Sequence, residues 1–146
     1  MNGDLQSSVA DRLRRVGQRH TSGRRILIDA LARAGRPLTA AELVTSEEGL
    51  PQSTTYRNLA LLEQAGVVHR VIGSDEYARF ELAEELTGNH HHHLVCVSCG
   101  TVEDFEAPRR VEKGLTDAIR ELTSGKGFRA QAHRLDVIGT CASCAS

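Results

Sequence analysis

The chain has 146 residues, a formal net charge of −1, 40% apolar residues and only 3% aromatic ones. That length allows one domain or two small ones with thin cores, so a structural metal or a partner subunit is expected as a staple. No apolar run is long enough to span a bilayer, and Met1-Asn2-Gly3-Asp4 lacks the charged-then-apolar pattern of a secretory signal, which predicts a cytoplasmic protein with no membrane partner.

Charge is unevenly placed. The first part of the chain holds Arg12, Arg14, Arg15, Arg19, Arg24, Arg25, Arg33 and Arg36 against Asp4, Asp11 and Asp29, and the second half is acidic. A basic end on an acidic remainder permits phosphate contacts at that end, although a solvated Arg-rich helix face has the same composition. Residues 8–17 are predicted as a short helix with Val9, Leu13 and Val16 on one side. Ser22 is placed to cap a second helix carrying Ile26, Leu27, Ala30, Leu31 and Ala34, which Gly35 ends. Thr39-Ala40-Ala41-Glu42 has the form of a capping box and opens a third. Pro51 with Ser53 or Thr54 starts a fourth, with Leu59, Leu62 and Ala65 inward and Gly66 as the stop. Then the apolar period changes from helical to alternating. Residues 67–72 and 77–82 read as strands joined at Gly73-Ser74-Asp75, a hairpin. Short helices followed by a two-stranded wing describe a winged helix-turn-helix over residues 1–83.

Residues 84–89 are polar and contain Gly88, and are expected to be a hinge. Beyond it, 92–97 and 101–105 read as strands, 108–124 as a helix with Val111, Leu115, Ala118, Ile119 and Leu122 on one face, and 128–138 as a third strand. The fold class expected is α+β, with residues 90–146 forming a small α/β domain around a mostly antiparallel sheet.

The densest chemistry lies at His90-His91-His92-His93-Leu94-Val95-Cys96-Val97-Ser98-Cys99-Gly100, with Cys141-Ala142-Ser143-Cys144 near the end; these two C-x-x-C pairs contain all four cysteines. Imidazole and thiolate are ligands that zinc prefers, and two such pairs can close one tetrahedral site. Strand alternation puts His91 and His93 on one face and His90 and His92 on the other, so one segment can feed two metal sites. A redox dithiol is the competing reading of a C-x-x-C pair. It occurs in one copy at the start of a helix after a strand, whereas here there are two copies, and Gly100 and then a strand follow the first.

Ser53-Thr54-Thr55-Tyr56-Arg57-Asn58-Leu59, Phe80-Glu81-Leu82, His90–Gly100, His133 and Gly139-Thr140-Cys141 together resemble the Fur family of metal-dependent transcriptional regulators. The resemblance spans roughly residues 8 to 144, and H-H-x-H-L-x-C-x-x-C-G after a T-x-Y-R helix is highly specific. It implies a homodimer that binds double-stranded palindromic operator DNA when a regulatory metal is present, usually repressing genes of metal uptake or homeostasis. It also implies three ligand sets: structural zinc on Cys96, Cys99, Cys141 and Cys144; a sensing site of Glu81, His91, His93 and Asp104; and an additional site of His90, His92, Glu112 and His133. DNA contacts are implied for Ser53, Thr54, Thr55, Tyr56 and Arg57, with Arg19 and Arg24 on the backbone.

Two departures bear on the sensed ion. Pro37 stands where many iron-responsive members have His, and Ala83 where the zinc-responsive branch often has Cys. His69 lies where some members supply a ligand instead. Phe80-Glu81 is as in the iron branch, so iron(II) is expected in the sensing site, with zinc or manganese(II) as alternatives. From other classes, a zinc enzyme would need a motif such as H-E-x-x-H or the deaminase H-x-E…P-C-x-x-C, and neither occurs. A metal storage or delivery protein would explain the ligands but not the winged helix.

Overall fold

Helices form where apolar spacing and caps agree. The computed structural model describes residues 2–146, and its first half contains α1 (Asn2–Arg15), α2 (Ser22–Ala34), α3 (Ala40–Ser46) and α4 (Gln52–Gln64). α1 begins at Asn2 rather than residue 8 and ends before Val16, which is exposed. The cap of α2 is Thr21, not Ser22: its hydroxyl accepts the Arg24 N–H at 3.3 Å, and Gly35 closes the helix at φ 61°. At α3 the capping box forms in both directions, Thr39 accepting the Glu42 N–H at 3.1 Å and Glu42 accepting the Thr39 N–H at 3.0 Å. α4 follows Pro51 without a side-chain cap. Val9, Leu13, Leu27, Ile28, Leu43, Leu59 and Leu62 from these helices are buried together.

A hairpin, β2 (Val68–Ile72) and β3 (Ala78–Leu82), leans on this core, and the two-residue β1 (Leu38–Thr39) flanks it in the order β1-β3-β2. Val68, Phe80 and Leu82 join the helical core. The alternate residues are covered too: residues 79–82 of β3 are all buried, charged Arg79 and Glu81 included. What covers that second face is the other sheet.

The stretch expected as a hinge contains a single helical turn, α5 (Glu84–Thr87), ended by Gly88 at φ 75°. After it come β4 (His92–Cys96), β5 (Val102–Phe105), α6 (Arg109–Thr123), β6 (Asp136–Gly139) and the turn α7 (Ala142–Ala145). The sheet order is β5-β4-β6, with β4–β5 antiparallel and β4–β6 parallel. The strand expected over 128–138 forms only at its end. β6 pairs from His93↔Asp136 to Cys96↔Gly139, so residues 128–134 run past the start of β4 and find no extended partner.

Among the described residues, nothing after Val102 is buried. The apolar stripe of α6 is only partly covered, with Val111, Leu115 and Ile119 half-buried and Leu122 66% exposed, and on β6 Val137 is 48% and Ile138 67% exposed. The N-terminal core, by contrast, closes within one chain. Leu62→Ala, at a fully buried position, is expected to lower the stability of that core by about 2–5 kcal/mol. Denaturant unfolding followed on the helical signal measures it.

Candidate metal centres

Each ligand cluster grows from a simple register. In β4, His93 pairs with Asp104 of β5; in the wing, His69 pairs with Glu81. Stacking the second face of the wing on β4 and β5 brings these pairs together. Glu81 Oε1 lies 2.8 Å from both His69 Nε2 and His93 Nε2, and Oε2 lies 2.9 Å from His91 Nε2. The Asp104 carboxylate lies 3.4 Å from His93 Nε2 and 3.6 Å from His91 Nε2. One donor atom each from Glu81, His91, His93 and Asp104 falls within 4.8 Å of all the others. Asp104 Oδ1 is buried without a hydrogen-bond partner, as a carboxylate oxygen turned toward a cation would be. His69 approaches through Glu81 and stands outside that four-residue group.

Burial works against the charge on Glu81, yet hydrogen bonds from His69 and His93 and the nearby imidazoles hold its carboxyl far below the usual range. Burial also opposes protonation of His91 and His93, but the Glu81 carboxylate outweighs it and raises both. Asp104 is pushed up to about 6, first by burial and then by the Glu81 charge. Two carboxylates share the site, and positive charge placed between them favours the ionised form of both. His93 Nδ1 faces Asp136 Oδ1 at 3.6 Å, an arrangement that favours a proton on Nδ1 and leaves Nε2 for a metal.

The other face of β4 supplies a second cluster. His90 Nε2 lies 3.2 Å from His133 Nε2, and His133 Nε2 lies 3.1 Å from Glu112 Oε2; His92 Nε2 touches Glu112 Oε1. Donors from all four residues are within 4.8 Å of one another. The Leu135 N–H donates to His92 Nδ1 at 3.2 Å, which keeps a proton on Nε2, and an ion ligated there has to displace it.

The thiols meet because β6 runs parallel to β4, delivering Cys141 and Cys144 to the turn that follows Cys96. All four sulfur atoms lie within 4.8 Å of one another, and none is in a disulfide. Cys99 Sγ and Cys141 Sγ are 3.8 Å apart, the edge of a tetrahedron whose metal–sulfur bonds are about 2.3 Å. Backbone N–H groups of Cys141 and Cys99 pull the Cys96 thiol down to about 6. Cys141 and Cys99 push the Cys144 thiol up to about 12. Four thiolates cannot accumulate without a cation, so the donor set fits zinc.

Against known proteins, the model of the Ferric uptake regulator family matches residues 15–138, well over half of the chain. The chain belongs to that family. It is 33% identical over 129 residues to the Ferric uptake regulation protein of Brucella abortus, covering 86% of each chain. It is 27% identical over 136 residues to the Peroxide operon regulator of Bacillus subtilis, covering 90% of this chain and 88% of that one. Among solved structures, the Helicobacter pylori ferric uptake regulator superposes with a TM-score of 0.74 at 23% identity, over 97% of this chain and 94% of that one. The Pseudomonas aeruginosa regulator with manganese does so at 0.66 and 29%, over 89% and 95%. Fur-family proteins are metal-responsive transcription regulators, not enzymes.

The residues expected at a DNA surface divide in the structure. Ser53, Tyr56 and Arg57 of α4 are exposed, and Tyr56 is 50% so. Thr55 is buried at 1%, so the expectation that it touches DNA is corrected: it faces inward, because helical spacing puts it on the side of Leu59 and Leu62. Arg24 donates through Nε to Asn58 Oδ1 at 3.0 Å and through its guanidinium to the Arg19 carbonyl, bracing α2 against α4. Sequence reasoning missed Glu84 and Asp136. Glu84 Oε2 lies 3.0 Å from His90 Nδ1 and Oε1 accepts the His91 N–H at 3.3 Å, inside a stretch that read as polar hinge. Asp136 needs the parallel β4–β6 register, which no local pattern announces.

In the metal-free protein His91 and His93 keep their protons above the ordinary histidine range, and Asp104 keeps its own up to about 6. A metal must displace these protons. Affinity of the first cluster for a divalent ion is expected to rise as pH increases from 6 to 8, by up to about tenfold per unit for each proton released. Equilibrium titrations at fixed free metal across that range check it; a flat profile would contradict the charge arrangement.

Proposed function

We propose that this chain is a metal-activated, DNA-binding repressor that acts as a homodimer on genes of metal uptake or homeostasis. Residues 1–83 are the winged-helix DNA-binding domain, 84–89 the hinge, and 90–146 the dimerisation domain. One observation supports the reading most. The first cluster draws Glu81, with His69 beside it, from the wing, and His91, His93 and Asp104 from the other sheet. An ion held there binds the closed arrangement of the two units more tightly than any open one, and so shifts the population toward it. The ion supplies positive charge and directional bonds; the chain supplies the two units whose spacing those bonds set.

Cys96, Cys99, Cys141 and Cys144 hold structural zinc, and His90, His92, Glu112 and His133 form an additional site. The apolar face of α6 and β6 is the surface that a second copy buries. A two-fold dimer then presents two α4 helices to two half-sites of a palindromic operator. Tyr56 and Arg57 stand nearest the bases, Ser53 and Thr54 beside them, and Arg19 and Arg24 along the backbone.

For the sensed ion we favour iron(II), with manganese(II) as a close alternative. The donors are nitrogen and oxygen without sulfur, and His69 is available as a fifth ligand. The Brucella abortus relative is named for ferric uptake. A zinc-responsive repressor is the second reading. It is favoured by the compact four-donor group without His69, a number that suits tetrahedral zinc.

Operator binding titrated with iron(II), manganese(II) and zinc(II) under anaerobic, metal-buffered conditions separates these. The expected result is activation by iron(II) or manganese(II) at free concentrations not far above the one at which zinc(II) acts, since zinc(II) binds a given nitrogen and oxygen set more tightly and availability then decides the choice. Activation by zinc alone overturns the iron reading, and binding indifferent to any metal overturns the repressor reading. The double variant His91→Ala, His93→Ala is expected to lose the metal dependence. Arg57→Ala is expected to weaken the operator complex by about 1–3 kcal/mol while metal content stays constant.

A further inference from the structure

The second face of the wing makes contact well beyond the metal cluster. Going from Glu81 toward the hairpin turn, the cross-strand pair His69–Glu81 is followed by Val71–Arg79. On the opposing sheet His93–Asp104 is followed by Val95–Val102. Val71, Val95 and Val102 form their own buried apolar cluster, separate from the helical core. At the far end the turn itself meets the thiol turn. Ser74 Oγ donates to the Cys96 carbonyl at 2.7 Å, the same oxygen that accepts the Gly100 N–H at 3.0 Å. Asp75 takes two hydrogen bonds from the buried Arg79 guanidinium, at 2.6 and 2.9 Å, and its carboxylate lies flat against Gly100. Gly100 has φ 77°, and a Cβ there would overlap that carboxylate. Gly73 is crowded to a lesser degree, since a Cβ on it would stand 3.0 Å from the Arg79 guanidinium and 3.4 Å from the Gly100 carbonyl oxygen.

We infer that Ser74, Asp75 and Arg79 form a latch that clamps the wing onto the Cys96–Gly100 turn and thereby positions Glu81 for the regulatory metal at the other end of the same strip. The inference rests on the reading of Glu81, His91, His93 and Asp104 as the sensing site. Latch and metal hold the same closed arrangement, so each favours the other by linkage. The thiol turn is then more than a staple of the second sheet. Its shape, set by the metal on its sulfurs, is felt at the sensing site through Gly100, Asp75 and the valines. None of the latch residues offers a ligand to either metal in this arrangement.

The test uses the full chain loaded with zinc, titrated with manganese(II) in the absence of DNA. Asp75→Ala is expected to weaken manganese binding by about five-fold or more, with zinc content and dimer state unchanged. Hydrogen exchange in 68–82 and 95–102 is expected to quicken in the same variant. Ser74→Ala removes one hydroxyl and keeps the test valid if Asp75→Ala loses zinc; it is expected to shift the affinity in the same direction. Parental manganese affinity and exchange in the variant that keeps its zinc overturn the latch. Every titration is made in a His133→Ala background, which removes a donor of the second cluster, and there Glu81→Ala serves as the control and should abolish the binding. If Glu81→Ala keeps parental affinity, the sensing site itself is wrong and the latch falls with it; if it abolishes binding while the latch variants match the parent, only the latch is wrong.

Discussion

Glu81 is a carboxylate buried at 4% exposure between two sheets, and the arrangement of both depends on how its charge is met. An unpaired carboxylate in such a place would cost several kcal/mol or be forced to protonate. Here three imidazoles converge on its two oxygens, one from its own hairpin and two from the opposing strand. The wing cannot swing away without stripping Glu81 of His91 and His93, and the second sheet cannot shift without the same loss. Asp104 sharpens the constraint, because burial and the Glu81 charge push a second carboxyl in the same pocket up to about 6.

The remaining architecture follows from what must surround that point. β3 is buried on both faces, by helices on one side and by the second sheet on the other. β4 is its counterpart and serves two clusters at once through the period of two along a strand. Its end turns through Cys96 and Cys99, so the thiol site, the valine patch and the imidazole cluster lie along one short path. The segment beyond Val102 has no buried residue of its own, and its apolar stripe on α6 is left for another surface to cover. Intrachain packing thus concentrates in the helices and at the seam, while the outer half of the second sheet is tied in mainly by the side chains of the ligand clusters.

Much of this was legible locally. The helices α2 to α4 and the hairpin were visible because spacing, caps and glycines agree at each one, as Thr39 with Glu42 shows. The two faces of the histidine run followed from alternation, and the resemblance named their partners; the structure gathers Glu81, His91, His93 and Asp104 on one side, with His69 outside the group, and His90, His92, Glu112 and His133 on the other. Errors arose where a local signal was silent or ambiguous. α1 extends back to Asn2, and Leu5, one step of four before Val9 and Leu13, is the only apolar residue in that added part, too thin a signal among polar neighbours; Thr55 read as a polar surface residue although its helical position turns it inward.

By itself the sequence determined which chemistry was present: four thiols in two pairs, imidazoles sorted to opposite faces, and a wing strand bearing one carboxylate. Those are properties of residue type and strand or helix period, which act over a few residues. The family resemblance named the groups that share each cluster, and tertiary structure decided the contacts that bring them there and the partners behind them. That Asp136 backs His93, that Cys141 reaches Cys96, and that Asp75 rests on Gly100 depends on the parallel β4–β6 pairing and on the stacking of the wing upon β4 and β5. Such contacts join residues far apart in the chain, and their register is set by the packing of whole faces, which no short stretch of sequence encodes.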